Sequence, residues 1–358
     1  MKEPSSDMYE AYYGLRERPF DITPDPRFLL LTSRHNEALS TLRYGLQARK
    51  GMVLLTGEAG TGKTTLLKAV FGAVGAEVWP VSLNNPRLTR GEFFELLSDG
   101  FGLGNQAGLS KARFVREFED ALRDRYKAGL QSVLIVDEAQ SLSDDLLEEV
   151  RLLANTETEQ TKLLTIILAG QSALSERIST PALRQLKQRI ALRCGLTPLQ
   201  LGETSAYLAG RVRIAGGEPV SLFSRDAVHL VHEASGGIPR SINIICDNAL
   251  LSGFAAAQRP VCRRLVAEVC RDLDLLGDKS PTSFEETKDG PAESVSLITH
   301  AQVERDHRSF ESDIDFLRPL AESKPLPDEA STPDRELTLL PEAGPRPVLT
   351  GKTGSWEG

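Results

Sequence analysis

A glycine-rich segment that ends in lysine and threonine carries the strongest chemical signal in this chain. It matches the pattern G-x-x-x-x-G-K followed by serine or threonine at every fixed position, and it consists of Gly57, Glu58, Ala59, Gly60, Thr61, Gly62, Lys63 and Thr64. Glycines at this spacing let backbone N–H groups face phosphate oxygens, while the lysine reaches the β- and γ-phosphates and the threonine hydroxyl ligates Mg²⁺. We therefore predict that these residues and Thr65 bind the phosphates of a nucleotide, with Thr64 as a metal ligand.

Two acidic residues after a later apolar run supply the partners that such a site requires. The run Val133–Val136 is typical of a buried parallel strand, and Asp137 and Glu138 follow it directly. Ligands of open α/β sheets bind at this end of the strands. We predict that Asp137 holds Mg²⁺ and that Glu138 polarises the attacking water, because adjacent strand residues point to opposite sides and can take different tasks. The alternative, a strand that ends in two surface acids, is disfavoured by the complete phosphate loop upstream.

The hydrophobic pattern indicates the elements that position these residues. Strand-type runs alternate with helical patterns, and the runs are Met52–Thr56, Glu77–Leu83, Ser132–Val136, Leu163–Gly170 and Ile190–Cys194. Such alternation predicts an α/β fold with a parallel sheet and helices on both faces. Helices are predicted directly after the phosphate loop, near 90–101 and 111–128, and from Ser143 onward. From 197 to 276 helical patterns dominate, which predicts a small all-helical domain.

The charge distribution sets the last segment of the chain apart. Residues 277–358 contain 17 acidic and 9 basic residues, and this net charge of −8 equals that of the whole chain. The segment is poor in aromatic residues and rich in Pro and Ser, so we predict a disordered tail. The body is neutral, which argues against a strongly basic nucleic-acid-binding domain. The predicted boundaries are 1–48 for an N-terminal linker and first helix, 49–196 for the α/β domain, 197–276 for the helical domain and 277–358 for the tail.

Cysteine usage and hydropathy predict a cytoplasmic location. Cys194, Cys246, Cys262 and Cys270 lack C-x-x-C spacing and are predicted to be reduced core thiols. The longest apolar stretches, such as Leu163–Ala169, are far shorter than the ~20 residues that cross a bilayer. We therefore expect no membrane span, with recruitment to the inner membrane possible only through partners.

Two features beyond the phosphate loop resemble the AAA+ ATPases. Gln171 follows the fourth predicted strand, where AAA+ proteins place a polar sensor residue near the γ-phosphate. The segment Gly236–Arg240 resembles the G-x-P-R signature of the AAA+ lid, whose arginine touches the nucleotide. A cap of the sheet is the alternative for Gln171, and an exposed arginine at a helix start is the alternative for Arg240. The resemblance implies an ATP- and Mg²⁺-dependent ATPase with an α/β P-loop domain and a helical lid.

The resemblance to AAA+ proteins also implies a homo-oligomer. In such oligomers a neighbouring subunit completes each nucleotide site with an arginine that lies just before the fifth strand. Arg189 is our first choice for this residue and Arg184 the second. An arginine there would neutralise charge on the transferring phosphoryl group. The alternative is that both are solvated cations on a surface helix.

The N-terminal residues narrow the resemblance further. Tyr12–Phe20 and Ile22–Leu29 are similar to the opening of general secretion pathway protein A and its relatives from pilus and exopolysaccharide export clusters, and the similarity covers about residues 8–275. It implies a role in energising or regulating the assembly of a secretion, pilus or polysaccharide export machine. Members commonly continue into a membrane-spanning helix and a peptidoglycan-binding domain. This chain continues into the acidic tail instead, so we do not expect it to anchor itself to the cell wall.

Two other functions stay open at this point. A DNA-associated AAA+ regulator of the transposition or replication-initiator type shares the same core, although the neutral body and the lack of a winged-helix pattern after the lid argue against it. A nucleotide-binding scaffold with little turnover also fits the motifs. Phe20, Ile22 and Phe28 are placed to cover an adenine, with ordinary core packing as the alternative.

Overall fold

The computed structural model describes residues 9–23, 25–75, 77–84, 87–104, 108 and 110–275, so the predicted tail at 277–358 lies outside the described residues. None of the helices among the described residues has the length and apolarity to cross a membrane. The elements in chain order are α1 (Glu10–Tyr13), α2 (Ser33–Gln47), β1 (Met52–Gly57), α3 (Lys63–Gly72), β2 (Val78–Leu83), α4 (Arg90–Gly100), α5 (Lys111–Lys127), β3 (Gln131–Val136), α6 (Asp144–Leu153), β4 (Leu164–Gly170), α7 (Ser172–Ile178), α8 (Arg184–Arg189), β5 (Leu192–Leu196), α9 (Leu201–Ile214), α10 (Pro219–Leu222), α11 (Arg225–Ser235), α12 (Pro239–Ala255) and α13 (Arg263–Asp272).

The five strands form one parallel sheet in the order β2-β3-β4-β1-β5. Each neighbouring pair is parallel, and central β1 aligns Val53 with Ile167 of β4 and with Leu192 of β5. This sheet confirms the predicted parallel α/β fold. Since all strands run the same way, the carboxyl ends of β1, β4 and β3 meet at one edge, where the phosphate loop and the two acidic residues follow their strands.

Alternate residues of each central strand pack against different sets of helices. Met52 and Leu54 of β1 belong to a core formed with α4, α5 and α6, whereas Val53 and Leu55 belong to a second core formed with α2 and α3. All four side chains are buried. Because successive strand residues point to opposite faces, this division shows helices on both faces, as the apolar runs predicted.

Helices α9 to α13, called the lid below, form a third core, and the N-terminal segment joins it. The hydroxyl of Tyr13 donates to the carbonyl oxygen of Leu250 at 3.1 Å. Phe20 is fully buried and packs edge-to-face on Phe223, with ring centroids 5.9 Å apart. Residues 9–20 therefore pack on the lid, while α2 packs on the sheet, and the chain crosses from one to the other at residues 21–32, called the crossing segment below.

Most predicted element boundaries agree with the structure. Ser143 is the N-cap of α6, and its Oγ accepts the N–H of Leu146 at 3.3 Å. Strand β5 begins two residues later than predicted, because Ile190 still forms the C-terminal cap of α8 and the pairing with β1 starts at Leu192.

The prediction of core thiols holds for two of the four cysteines. Cys246 and Cys270 are buried in the lid, whereas Cys194 and Cys262 are only half-buried. Cys194 lies on the edge strand β5 and Cys262 directly precedes α13, and neither place is covered on all sides. All four are free thiols.

Candidate nucleotide-binding site

A cavity of about 340 Å³ lies where the sheet edge, the crossing segment and the lid meet. Its volume is within the usual range for small-molecule sites. Most of the lining comes from the phosphate loop, residues 60 to 65, from residues of the crossing segment between 21 and 30, and from lid or near-lid residues that include Leu199 and Tyr207. His35 of α2 and Glu138 after β3 also line the cavity.

The loop between β1 and α3 has a backbone that its glycines permit. Gly60 and Gly62 adopt φ angles of 82° and 99°, in the left-handed region that strains other residues. A Cβ atom on Gly60 would also lie 2.8 Å from the Cβ of Arg240. The loop is therefore shaped for phosphates at the N-terminus of α3 and is closely approached by the lid.

The predicted phosphate-binding lysine is buried at the start of α3. Lys63 Nζ donates to the carbonyl oxygens of Gly57 and Glu58, at 3.0 Å each. Burial lowers the pKa of Lys63, and the nearby charges of Glu138 and Asp137 act in the opposite direction. Its ammonium thus sits between the loop carbonyls and the acidic end of β3.

The two predicted metal ligands are in direct contact. Thr64 Oγ1 donates to Asp137 Oδ2 at 2.7 Å, although the residues are 73 positions apart. Mg²⁺ takes hard oxygen ligands and usually only one or two from the protein, with phosphates and water filling the rest. Among the described residues there is no cluster of three or more His, Cys, Asp or Glu side chains that could hold a metal. The hydroxyl–carboxylate pair fits Mg²⁺ bound together with a triphosphate, because both groups offer hard oxygen ligands.

Glu138 lies beyond the end of β3 and not within it. The strand ends at Val136, and Glu138 adopts a left-handed φ of 53°. The alternation of strand side chains thus does not explain how the two carboxylates diverge; the turn after the strand does. Asp137 Oδ1 accepts the N–H of Glu138 at 2.9 Å, and Glu138 Oε2 accepts a hydrogen bond from Gln140 Nε2.

Arg240 joins the lid to the phosphate loop. Its backbone N–H donates to the carbonyl oxygen of Gly60 at 3.2 Å, and its exposed side chain lines the cavity. Pro239 is the first residue of the 17-residue helix α12, so Arg240 lies at a helix N-terminus that favours anions. The predicted lid arginine therefore lies beside the phosphate loop.

Known proteins match this arrangement. A family model described as an AAA domain matches residues 46–178, from the end of α2 to the end of α7. General secretion pathway protein A of Aeromonas hydrophila is 41% identical over 255 residues, which cover 71% of this chain and 46% of that protein. The chain carries an AAA+ module of this type. It spans about half the length of this curated relative.

Solved structures share the fold of the AAA+ module. The ORC2 protein of Aeropyrum pernix, in ADPNP–ADP complexes, is 18% identical with a TM-score of 0.54 and covers 72% of this chain and 71% of its own. Cdc6p of Pyrobaculum aerophilum is 17% identical with a TM-score of 0.56 and covers 69% and 70%. Drosophila ORC bound to DNA is 18% identical with a TM-score of 0.55 and covers 76% and 68%. At these identities the likeness concerns the fold alone.

The end of the cavity away from the phosphate loop is built by side chains of the lid and the crossing segment. Arg211 of α9 is only 7% exposed, and its guanidinium donates to the carbonyl oxygens of Pro19 and Asp21. It lies 4.7 Å from the centroid of the Phe28 ring. Asn243 of α12 also donates to the carbonyl oxygen of Asp21, at 3.3 Å. Within the described residues this buried cation forms no ion pair, so main-chain oxygens, the Tyr207 hydroxyl and aromatic faces stabilise it.

The three N-terminal side chains proposed to cover an adenine lie in different environments. Phe20 is fully buried in the lid core, so core packing is its correct interpretation. Phe28 belongs to the same core and is 6% exposed, although it lines the cavity. Ile22 lines the cavity and is 56% exposed, so it is available to contact a base.

The other predicted site residues lie outside the cavity lining. Gln171 is the N-cap of α7, and its backbone N–H donates to Gln140 Oε1 at 3.1 Å, while its side chain forms no hydrogen bond to the described residues. Arg184 and Arg189 are exposed on α8, and neither pairs with an acid in the described part of the chain. The structure thus brings Gln171 to the same sheet edge as Glu138 and leaves both arginines on the surface.

Sequence reasoning missed Gln140 and His35. Gln140 stands two residues after Glu138, a closeness that could have drawn attention to it. Buried His35 joins α2 to the phosphate loop: Thr32 Oγ1 lies 2.8 Å from its Nδ1, and its Nε2 lies 3.4 Å from the carbonyl oxygen of Thr61. No sequence signal marks His35, because its partner in the loop is a main-chain carbonyl that every residue type provides.

Proposed function

We propose that the chain binds ATP with Mg²⁺ in this cavity and hydrolyses it. The observation that carries the proposal is the 2.7 Å contact between Thr64 and Asp137 beside the buried Lys63. It joins the two groups that a P-loop site uses for the metal at the place where backbone N–H groups and a lysine can hold the phosphates.

Each site residue then has a defined role. Lys63 and the loop backbone hold the β- and γ-phosphates, and Thr64 with Asp137 holds Mg²⁺, which offsets phosphate charge. Glu138 accepts a proton from water as the water oxygen bonds to the γ-phosphorus and the bond to the β–γ bridging oxygen breaks, which gives ADP and phosphate. Gln171 at the end of β4 orients this water, and Arg240 contacts the nucleotide from the lid.

The test separates binding from hydrolysis. Lys63→Ala is expected to abolish ATP binding, whereas Lys68→Ala, an exposed lysine one turn further along α3, is the matched control and should bind normally. Glu138→Gln should bind ATP but hydrolyse it ~10²–10⁴-fold more slowly, the usual contribution of a general base. Glu159→Gln, in an exposed loop, is its control. Wild-type turnover in Glu138→Gln would disprove the role of Glu138.

We further propose that the AAA+ module self-associates with ATP. The support is the surface of α8, where Arg184 and Arg189 are exposed and form no ion pair among the described residues. Such cations are available to a neighbouring subunit, whose γ-phosphate would supply the missing negative charge.

The machine that this ATPase serves is proposed from its relative. Similarity to general secretion pathway protein A favours the energising or regulation of an envelope export or pilus assembly machine. A DNA-associated regulator is the second candidate, because Drosophila ORC, a protein of the same fold, is bound to DNA. A pulldown with Glu138→Gln in ATP, with Lys63→Ala as the matched control, should retain envelope components; selective retention of DNA instead would favour the second candidate.

A further inference from the structure

Gln140 connects the carboxylate of Glu138 to the end of β4. Its Oε1 accepts the backbone N–H of Gln171 at 3.1 Å, and its Nε2 donates to Glu138 Oε2. The amide orientation follows from its partners, since a backbone N–H can only donate and a carboxylate accepts. One amide side chain thus links the residue after β4 to the acid after β3.

The backbone around Gln140 is fixed as well. Arg177 of α7 donates to the carbonyl oxygens of Gln140 and Leu142, at 2.8 and 3.0 Å, and also pairs with Asp144. The short 3₁₀ turn Ala139–Ser141 is therefore attached to α7 on one side. Both the main chain and the side chain of Gln140 are therefore fixed by hydrogen bonds, and its Nε2 donates to Glu138 from a fixed position.

Glu138 needs such a fixed donor more than an ordinary surface acid does. Its side chain is half-buried, and apart from Gln140 its carboxylate accepts no hydrogen bond from the described residues. An unrestrained glutamate loses rotamer entropy when it is ordered, which would add to the barrier of a reaction that requires one rotamer. The bond from Gln140 engages Oε2 and leaves the lone pairs of Oε1 free for a water.

We propose that Gln140 is a positioning residue that orients Glu138 for proton abstraction, with Arg177 holding the turn that carries it. The proposal rests on the proposed function, because it assigns Gln140 an effect only through Glu138. Gln140 itself does not touch the reacting atoms.

Kinetics of three variants test the proposal. Gln140→Ala is expected to lower kcat about 10–100-fold, the scale of a misplaced reactive group, with ATP affinity and Tm unchanged. Gln140→Glu keeps the acceptor for the Gln171 N–H and loses the donor to Glu138, so it should lose as much. When Gln140→Ala is added to Glu138→Gln, kcat should fall no further. Gln160→Ala, in an exposed loop, is the control.

Full activity of Gln140→Glu would overturn the proposal, since only the tether to Gln171 would then matter. A loss from Gln140→Ala that persists in the Glu138→Gln background would also overturn it.

A readout without turnover separates this inference from the proposed function. In protein labelled with ¹⁵N-glutamine, the Gln140 side-chain signal is assigned by its loss in Gln140→Ala. The chemical shifts of its amide protons should change in Glu138→Gln, which removes the charge from their acceptor, and should stay unchanged in the Glu159→Gln control. If this change is present but wild type hydrolyses no ATP, the contact stands and the proposed function fails; if no change occurs, the positioning proposal is wrong.

Discussion

The two ends of the cavity are built in different ways. At the phosphate end the loop backbone, Lys63 and the contact between Thr64 and Asp137 arise from one continuous motif and the end of a nearby strand. At the other end the contacts come from the long side chains of Arg211 and Asn243, which reach main-chain atoms about 190 to 220 residues away in sequence.

The two ends are suited to different tasks, the phosphate end to the reaction and the lid end to conformational coupling. The phosphate end is anchored in a sheet buried on both faces, so its geometry is rigid. The other end belongs to the lid and to the crossing segment, which are joined by hydrogen bonds and ring contacts. We infer that the phosphate end sets which reaction occurs and that the lid end sets how nucleotide binding is transmitted to the rest of the chain.

The largest expected effect tests whether the phosphate end is complete within one subunit. If Arg189 acts on a neighbour's nucleotide, the specific activity of the wild type should rise with protein concentration. Arg189→Ala should then abolish this rise and reduce ATP turnover by ~10³–10⁵. Lys187→Ala, exposed on the same helix, is the matched control, and Arg184→Ala tests the second choice. Concentration-independent turnover by a strictly monomeric wild type would remove the trans arginine for both residues.

A second experiment addresses the lid end alone. Arg211→Met keeps an apolar stem on Phe28 but leaves the carbonyl oxygen of Pro19 without its donor, whereas Asn243 still donates to that of Asp21. We expect a loss of about 1.5–3 kcal/mol in the free energy of unfolding, the value of a hydrogen bond to a charged group. Chemical denaturation measures it, with exposed Arg213→Met on the same helix as the control. Equal stability of the two variants would show that Arg211 does not fasten the crossing segment.

The same difference explains what the sequence could predict. Phosphate and metal binding require glycine, lysine, threonine and acidic residues at fixed positions of the phosphate end. The loop, Asp137 and Glu138 were therefore identifiable from residue types and spacing alone. The sheet followed from its apolar runs. Arg211 and His35 were not identifiable, because their partners are carbonyl oxygens of Pro19, Asp21 and Thr61, and every residue type provides such an oxygen.

A third experiment measures the coupling between the ends. Arg240 lies on the lid while its N–H contacts Gly60 of the loop, so ATP should close the lid more than ADP does. Because the Arg240 side chain is exposed, we expect the smaller end of the range for one charged hydrogen bond, about a tenfold difference in the open–closed ratio. Paired fluorophores on the lid and the sheet domain report it. Arg240→Ala should remove the difference in lid closure between ATP and ADP, and Arg271→Ala should retain it. If Arg240→Ala also retained this difference, Arg240 would be an ordinary surface arginine.

The smallest expected effect concerns His35, at the junction of the two ends. The carbonyl oxygen of Thr61 faces Nε2 and can only accept, so the ring proton is on Nε2 and the Thr32 hydroxyl donates to Nδ1. Burial lowers the pKa of His35 below its ordinary value of 6.5, although the Thr61 carbonyl and the charge of Glu203 oppose this shift.

The sign of the pH dependence follows from that lowered pKa. When the pH falls below about 6.5, the unfolded chain binds a proton at His35 before the folded chain does, so this residue's contribution to stability is complete above that pH and is lost as the pH falls towards the folded-state pKa. His35→Gln can keep a donor for Thr61 without titrating. The fall in Tm between about pH 7.5 and about pH 5.5 should therefore be smaller in His35→Gln than in wild type, and His229→Gln on the lid should behave as wild type. An equal fall in all three proteins would show that His35 does not couple protonation to the loop.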